Sequence, residues 1–358
     1  MEFQTWGELA PKERAERENI KTGDLCTFGI SVLDHALKCI LPHDLIVIGA
    51  DSGTGKSTLS LSIASHNAKN GKQVAVFYLE GGHNEAIRRM KWRMICDEYY
   101  KNKPAYGYID MDYLLWSVND PSLASLKPVE NSVDKNLNAL FRDNLSIYNI
   151  TPSRGDDKNI VGYKKIYESL VNFFDGTEFG KIKFNLDLLI IDHLHYFDFE
   201  DGTRATEAEK ISKAIRSCKE ISDIHEIPVI LVSHLRKKTK ERGLPDQEDF
   251  HGSSNIPKIA TEAIILSPCY SLQDNVNFQY PTFFRFVKSR RGLKSNYAAL
   301  INFDLTANEY AKDYKIYPIS NDGFAADKEL EWYKCPKWAK RANDAGWKTE
   351  GDINEDRI

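Results

Sequence analysis

The stretch Leu45–Ser60, LIVIGADSGTGKSTLS, carries residue types and a spacing that suit the binding of a phosphate chain. An apolar run ends at Gly49, a glycine-containing loop follows, and a helical pattern opens at Lys56. Backbone N–H groups of such a loop can turn inward around phosphates because Gly53 and Gly55 carry no Cβ. The first turn of the next helix adds unpaired donors and the positive end of the helix dipole. We therefore predict that this stretch binds a nucleoside triphosphate.

The residues of this stretch predict a division of roles. Lys56 would bridge the β- and γ-phosphates of ATP, and the Ser57 hydroxyl would ligate Mg²⁺. Ala50 stands where the motif G-x-x-x-x-G-K-[ST] has its first glycine, and we interpret this as a variant because a small residue suffices for the turn. The alternative is a surface turn that precedes a lysine by chance. The candidate nucleotide-binding residues, here called the phosphate loop, are Ala50, Asp51, Ser52, Gly53, Thr54, Gly55, Lys56, Ser57 and Thr58.

Composition limits the classes of protein that the chain can belong to. A chain of 358 residues can form one large α/β domain with appendages, or two domains. The net charge of −4 gives no global basic signature, so any contact with nucleic acid must come from local clusters. The six cysteines have no metal-ligand spacing, which favours reduced thiols. No apolar run is long enough to span a membrane, and the charged N-terminus differs from a signal peptide, so we expect a cytoplasmic protein, or one of the host cytoplasm if phage-encoded.

Apolar runs that alternate with helical patterns predict an α/β fold with a mostly parallel sheet covered by helices on both faces. These runs are Leu45–Ile48, Val74–Leu79, Leu186–Ile191, Val229–Val232 and Ala263–Leu266. Two later segments alternate apolar and polar residues and predict an antiparallel extension at the C-terminal side. We expect an N-terminal arm at 1–24, the core domain at 25–305 with an irregular, aromatic-rich insertion at about 97–140, and a tail at 306–358.

Polar residues follow several of the predicted strands. Ligands of parallel sheets lie beyond the carboxyl ends of the strands, so we expect these residues to form one site with the phosphate loop. Asp192 is suited to hold Mg²⁺ through its waters, and Glu80 to orient or deprotonate the attacking water. His234 would sense the γ-phosphate. The alternatives are a capping aspartate, a solvated glutamate and a structural histidine.

Two basic clusters are further candidates. The first could neutralise the phosphates of a nucleic acid strand, although a solvated charged loop is the alternative. It comprises Arg236, Lys237, Lys238, Lys240 and Arg242. Lys288 and Arg290, in the segment KSRRG, could stabilise transition-state charge within the chain or across a subunit boundary. A basic β-turn is the alternative there.

The order of these features resembles a known family. VLDHALKCILPHDLIVIGADSGTGKSTLSLSIA is similar to the entry segment and Walker A region of the DnaB-type replicative helicases, which are hexameric members of the RecA-like ATPase superfamily. The segments YLEGGHNEAIRRM, LLIIDHLHYF, VILVSHLRKK, HGSSNIPKIATEAIIL and FVKSRRG resemble, in order, its later motifs. The resemblance covers about residues 25 to 305.

The resemblance implies a RecA-like P-loop core and DNA-stimulated ATP hydrolysis at the subunit interfaces of a ring. Lys56, Ser57, Asp192 and Glu80 would act within one subunit, and Lys288 and Arg290 would reach the nucleotide of a neighbour. His234 stands where the DnaB proteins usually have glutamine. DNA-binding loops would lie at about 236–254.

The partners implied are single-stranded DNA, further copies of the chain in a hexamer, and other replication proteins. We find no counterpart of the family's helical N-terminal domain, and therefore expect a phage-, plasmid- or organelle-type motor. An ATPase of the RecA or KaiC kind, which assembles on DNA or protein without unwinding, is the alternative, and a P-loop kinase for a small molecule is a third.

Overall fold

A computed structural model of the chain describes residues 5–79, 81–148, 186–194, 206–236, 243–252, 255–273, 279–293, 296–307 and 309–339. The helices of these residues are α1 (Trp6–Asn19), α2 (Ser31–Leu37), α3 (Lys56–Lys69), α4 (His83–Lys101), α5 (Lys103–Tyr106), α6 (Tyr113–Ser117), α7 (Lys127–Phe141), α8 (Glu207–His225) and α9 (Asn255–Ile259). None of them is both long and apolar enough to cross a lipid bilayer.

Nine strands of the described residues form a single sheet in the order β3-β2-β4-β5-β1-β6-β7-β8-β9. They are β1 (Leu45–Ala50), β2 (Val74–Tyr78), β3 (Leu145–Tyr148), β4 (Leu188–Asp192), β5 (Val229–His234), β6 (Glu262–Pro268), β7 (Gln279–Ser289), β8 (Tyr297–Asp304) and β9 (Glu309–Pro318). The first six strands of the sheet order are parallel, and β7, β8 and β9 are antiparallel. This confirms the predicted α/β fold with a parallel core and an antiparallel C-terminal extension.

Two hydrophobic cores lie on opposite faces of the sheet. Successive side chains of a strand point to opposite faces, so the continuous apolar run of β1 divides between the two cores. Ile46 and Ile48 pack in the core that includes α2 and α3, whereas Leu45 and Val47 pack in the core that includes α8. A strand covered on both faces needs apolar residues at every position, which is why polar residues appear only at its ends.

The region from 97 to 140 is helical, which differs from the irregular insertion that the sequence predicted. Helices α4 and α7 pack around a small core of their own that includes Trp92, Tyr99 and Val129. The indole N–H of Trp92 donates to the carbonyl of Thr306, 2.8 Å away, and ties this helical unit to the turn between β8 and β9. The sequence signal was the repeat Val129, Val133, Leu137 at intervals of four residues, which is a helical spacing.

The sheet continues beyond residue 305, where the sequence predicted a tail. Strand β9 pairs with β8, and its residues Tyr310, Tyr314 and Ile316 are buried. Their even spacing places them on one face, while charged residues between them face outward. The predicted tail from 306 thus begins within a β-hairpin, and the rest of it after residue 339 lies outside the described residues.

Helix α1 begins at Trp6, and Pro11 lies inside it. Thr5 initiates the helix because its N–H and hydroxyl donate to the Glu8 carboxylate and its carbonyl accepts from the Glu8 amide. The helix is exposed along most of its length, and Trp6 is 84% exposed. The helix lies within residues 1–24, for which an N-terminal arm remains a prediction.

Candidate functional site

The parallel strands end at one edge of the sheet and bring the predicted site residues together there. Ala50 pairs with His234 of β5, and Tyr78 pairs with Asp192 of β4. Since β4 and β5 are neighbours, Asp192 and His234 are the last residues of adjacent strands, which lie between β2 and β1. Glu80 itself lies outside the described residues. The residue before it, Leu79, donates its amide to the Asp192 carbonyl at 2.6 Å.

The phosphate loop leads from β1 into α3 and has the backbone shape that its glycines predict. Gly53 and Gly55 have φ values of +79° and +84°, in the left-handed region that other residues rarely adopt. Helix α3 begins directly after Gly55, so its first amides face the loop. Ser52, Thr54 and Thr58 line the cleft into which the loop opens. This is a concave set of N–H donors at a helix N-terminus, which fits a chain of phosphates.

Lys56 is buried and folds back onto its own loop. Its ammonium group donates to the carbonyls of Ala50, at 3.2 Å, and Asp51, at 2.8 Å. Carbonyls are neutral acceptors, and phosphate oxygens are stronger partners for a cation because they are charged. The lysine is therefore positioned to exchange loop carbonyls for phosphate oxygens when a nucleotide enters.

Asp192 is fully buried at the end of β4 and faces helix α3. Its Oδ2 accepts a hydrogen bond from the Ser60 hydroxyl at 2.9 Å. Ser60 lies three residues after Ser57, and such residues are neighbours on a helix surface. Burial raises the pKa of Tyr78 to about 12, although the nearby charge of Arg89 and a hydrogen bond with Ser57 both lower it. Hydroxyl and carboxylate oxygens are the ligands that Mg²⁺ prefers, so Ser57 and Asp192 have the chemistry of a magnesium site.

His234 contacts a second histidine that the sequence analysis left unassigned. The Nε2 atoms of His234 and His193 are 3.0 Å apart, and the two rings meet edge to face. Burial lowers the pKa of His234 to about 4, and the nearby charges of Lys56 and His251 lower it as well. His234 is therefore neutral at pH 7, with one ring nitrogen able to donate and the other to accept.

The first basic cluster is described only in part. Arg236 is exposed directly after β5, while residues 237–242 lie outside the described residues. The far end of this loop is held by Arg285, a buried side chain of β7. Its guanidinium donates to the Pro245 carbonyl at 2.9 Å and to Asp246 Oδ2 at 3.2 Å. Sequence reasoning missed Arg285 because its partners are about 40 residues away in the chain.

The phosphate loop opens into a cleft of about 1150 Å³ that the sequence did not predict. One wall is made by α4 and the segment that leads into α6, including Arg89, Asp112 and Tyr113. The opposite wall comes from the antiparallel extension, including Tyr280 and Phe303. The helical unit and the C-terminal strands thus both border the candidate nucleotide site.

Lys288 and Arg290 lie at the opposite edge of the sheet from the phosphate loop. Ser289 pairs with Glu262 at the start of β6, whereas Ala50, which leads into the loop, pairs with Leu266. Four strand residues, about 13 Å, separate these two levels. Lys288 donates to the Lys258 carbonyl at 2.8 Å, and Arg290 is exposed. The structure therefore does not bring these two residues to the site of their own chain.

Arg291, next to Arg290, has a different environment. Its guanidinium donates to the carbonyls of Leu37 and Cys39 and to the carboxylate of Asp44, and its Nε is 3.8 Å from the buried Glu262. It forms an ion pair with Asp44, lies near Glu262, whose pKa burial raises, and joins the end of β7 to the loop after α2. The sequence predicted no role for this residue of its own.

Comparisons with known proteins agree with this geometry. The model of the DnaB-like helicase C-terminal domain matches residues 26–99 and 178–302. The chain belongs to this family. The interval between the two matched segments contains α5, α6 and α7.

Two curated relatives of this family are replicative DNA helicases. DnaC of Bacillus subtilis (strain 168) is 22% identical over 253 residues, 69% of this chain and 48% of that protein. DnaB of Geobacillus stearothermophilus is 21% identical over 235 residues, 65% of this chain and 44% of that protein. The chain spans about half the length of these relatives.

Two solved structures share the fold. One is an ATPase domain, which has a TM-score of 0.62 at 16% identity, over 87% of this chain and 99% of that one. The other is a DnaB-like replicative helicase, solved in a study of its interactions with primase. It has the same TM-score and identity, over 86% of this chain and 68% of that one.

We expect the neighbouring arginines to differ in their effect on stability. Arg291→Met leaves the buried Asp44 and Glu262 carboxylates without their cation and should lower the free energy of unfolding by about 3–5 kcal/mol. Arg290→Met, at an exposed position, should change it by less than about 0.5 kcal/mol. Urea unfolding of both variants tests this. Equal effects of the two substitutions would contradict the structural role of Arg291.

We also expect His234 to contribute to acid sensitivity. In the folded protein it takes up a proton at about pH 4, but in the unfolded chain near pH 6.5. The unfolded state therefore binds more protons between these values, and the free energy of unfolding falls as the pH drops from 6.5 to 4. His234→Gln should lessen this fall, as measured by urea unfolding at a series of pH values. An unchanged pH profile would show that the folded histidine keeps its ordinary pKa.

Proposed function

We propose that the protein is an ATP-dependent DNA translocase and helicase of the DnaB type, which hydrolyses ATP at the interfaces between copies of the chain in a ring. One observation carries this proposal. The phosphate loop lies at one edge of the sheet, and the cations Lys288 and Arg290 lie at the opposite edge. A head-to-tail assembly of identical chains places one edge against the other, and such contacts close into a ring when the rotation permits. Family membership supports the same assembly.

Each residue has a definite task in this proposal. The loop amides and Lys56 bind the triphosphate, and Lys56 moves from the carbonyls of Ala50 and Asp51 to phosphate oxygens. Ser57 and Asp192 would hold Mg²⁺, which supplies charge that neutralises the phosphates. Glu80 orients the attacking water and accepts its proton. Arg290 of the neighbouring copy stabilises the charge that develops on the transferred phosphoryl group.

DNA contact is assigned to the loop that follows His234. This neutral histidine can exchange a hydrogen bond with the γ-phosphate, and its strand continues directly into Arg236. Loss of the γ-phosphate would alter that hydrogen bond and thereby the start of the basic loop, which includes Lys237, Lys238, Lys240 and Arg242. The loop's far end is fixed by Arg285, so a change at its start alters the loop's shape rather than moving the whole segment.

We expect Lys56→Ala to reduce ATP hydrolysis to background, because the cation that binds the phosphates is lost. Lys135→Ala, at an exposed position of α7, serves as the matched control and should retain wild-type turnover. Phosphate release is measured with and without single-stranded DNA, which should stimulate the wild type. Wild-type turnover in Lys56→Ala would remove the assignment of the phosphate loop.

A forked duplex distinguishes the helicase from the alternative. The proposed motor displaces one strand when ATP is present. ATPase activity that DNA stimulates, without displacement, would favour a DNA-assembling ATPase of the RecA or KaiC kind. Turnover that depends on a small acceptor molecule and not on DNA would favour a P-loop kinase.

Mixing two inactive variants tests the action of Arg290 across the interface. Arg290→Ala keeps Glu80 but lacks the arginine, and Glu80→Gln has the reverse defect. Where the ATP site of the first variant meets the arginine of the second, the site is complete, so the mixture should recover part of the activity that each lacks alone. No recovery at any ratio, in oligomers shown to exchange subunits, would exclude this role.

A further inference from the structure

The side chain of Tyr310 lies next to the phosphate loop, near Gly55. It belongs to β9, a strand that follows the core domain predicted at 25–305. Its ring packs against Phe284 and Phe303, with centroid distances of 5.3 and 4.8 Å. Its hydroxyl oxygen lies 3.6 Å from the position that a Cβ on Gly55 would occupy. The loop therefore rests on an aromatic side chain whose polar end points at it.

This hydroxyl is buried and has no hydrogen-bond partner within the described part of the chain. Burial also raises the pKa of Tyr310, so it remains a neutral donor at any ordinary pH. The Thr54 hydroxyl, on the residue before Gly55, is likewise buried and without a partner among the described residues. A buried polar group left without a partner destabilises the protein. Two such hydroxyls adjoin the same turn of the phosphate loop, and one of them, Thr54, lines the cleft.

Tyr314, four residues along the same strand, provides the contrast. Its hydroxyl is paired with Nδ1 of His35 at 2.9 Å. The two tyrosines are both buried, on the same face of β9. They differ in that the hydroxyl of Tyr314 has its partner, whereas that of Tyr310 has none among the residues that the structure describes.

The loop around Tyr310 has an arrangement that a nucleotide must change. Lys56 donates to the carbonyls of Ala50 and Asp51, and it leaves them when it binds phosphates. The carbonyls of Ala50 and Asp51 would then lack this donor, and the hydrogen bonds within the loop would change. A hydroxyl donor beside Gly55 can form one of the new bonds without any movement of β9.

We propose that Tyr310 is a positioning residue for the phosphate loop: in the nucleotide-bound loop its hydroxyl donates to an oxygen of Thr54 and so stabilises the form that binds the triphosphate. This inference rests on the proposed function. It assigns part of the nucleotide affinity to β9, a strand that follows the segments matched by the family model.

Tyr310→Phe and Tyr314→Phe form a matched pair of tests, since each removes one buried hydroxyl and little else. Tyr310→Phe should weaken the binding of a non-hydrolysable ATP analogue about 3- to 10-fold, which corresponds to one neutral hydrogen bond. Its urea midpoint without nucleotide should be unchanged or higher, because an unpaired hydroxyl is removed. Tyr314→Phe should do the reverse, with a lower midpoint and wild-type affinity. In steady-state kinetics, Tyr310→Phe should raise KM for ATP and leave kcat unchanged.

The outcomes separate this inference from the proposed function. Wild-type protein that fails to bind the analogue would refute both. Wild-type protein that binds it, with Tyr310→Phe binding equally well, would refute only the role of Tyr310. A lower urea midpoint of Tyr310→Phe without nucleotide would show that the hydroxyl has a structural partner, and would also overturn the inference.

Discussion

The burial of the inner strands of the parallel core on both faces is the constraint on which the rest of the structure depends. These strands are β2, β4, β5, β1 and β6. Such strands leave no room for polar side chains along their length, so polar groups collect where the strands end. Lys56, Asp192 and His234 are near one another for this reason, although they are far apart in the chain. The same constraint places the end of β7 at the other edge. A protein of this design therefore has two chemically different edges, and a complete hydrolytic site in our proposal uses one edge from each of two copies.

The buried ionisable side chains at the two edges of the sheet have different kinds of partners. At the amino-terminal edge, Arg291 is fixed by carbonyls and by Asp44, with the buried Glu262 nearby. At the carboxyl-terminal edge, Lys56 donates to neutral carbonyls of its own loop, and His234 is kept neutral by burial. Arg291 is thus paired within the isolated chain. The charge of Lys56 has neutral carbonyls among its partners, and a phosphate chain would compensate it.

The parallel core and the phosphate loop could be predicted from the sequence because their signals are local. Each signal can be recognised from a few adjacent residues. The signals are a short apolar run, a glycine at a left-handed position and a polar residue at the strand end. The sequence also indicated the helices that follow the strands. What it could not supply was pairing over long distances, as in Ser60 with Asp192, His193 with His234, and Arg285 with the segment around Pro245.

Strand β9 and helix α7 also have local sequence patterns typical of their structure. In both, a second feature of the sequence suggested irregular structure instead. Strand β9 alternates buried Tyr310 and Tyr314 with charged residues, but its overall polarity suggested a tail. Helix α7 repeats apolar residues every four positions, but the aromatic residues before it suggested an irregular region. Both elements border or support the nucleotide cleft.

Strand β7 connects two regions to which our proposal gives separate roles. Arg285, in the middle of β7, donates to the segment that ends the basic loop. Lys288 lies near the end of β7, and Arg290 follows it. Hydrogen bonds to β6 on one side and β8 on the other make it stiff along its axis. In the proposed ring, a displacement of the end of β7 by the neighbouring copy would therefore be transmitted along the strand to Arg285 and to the segment that ends the basic loop.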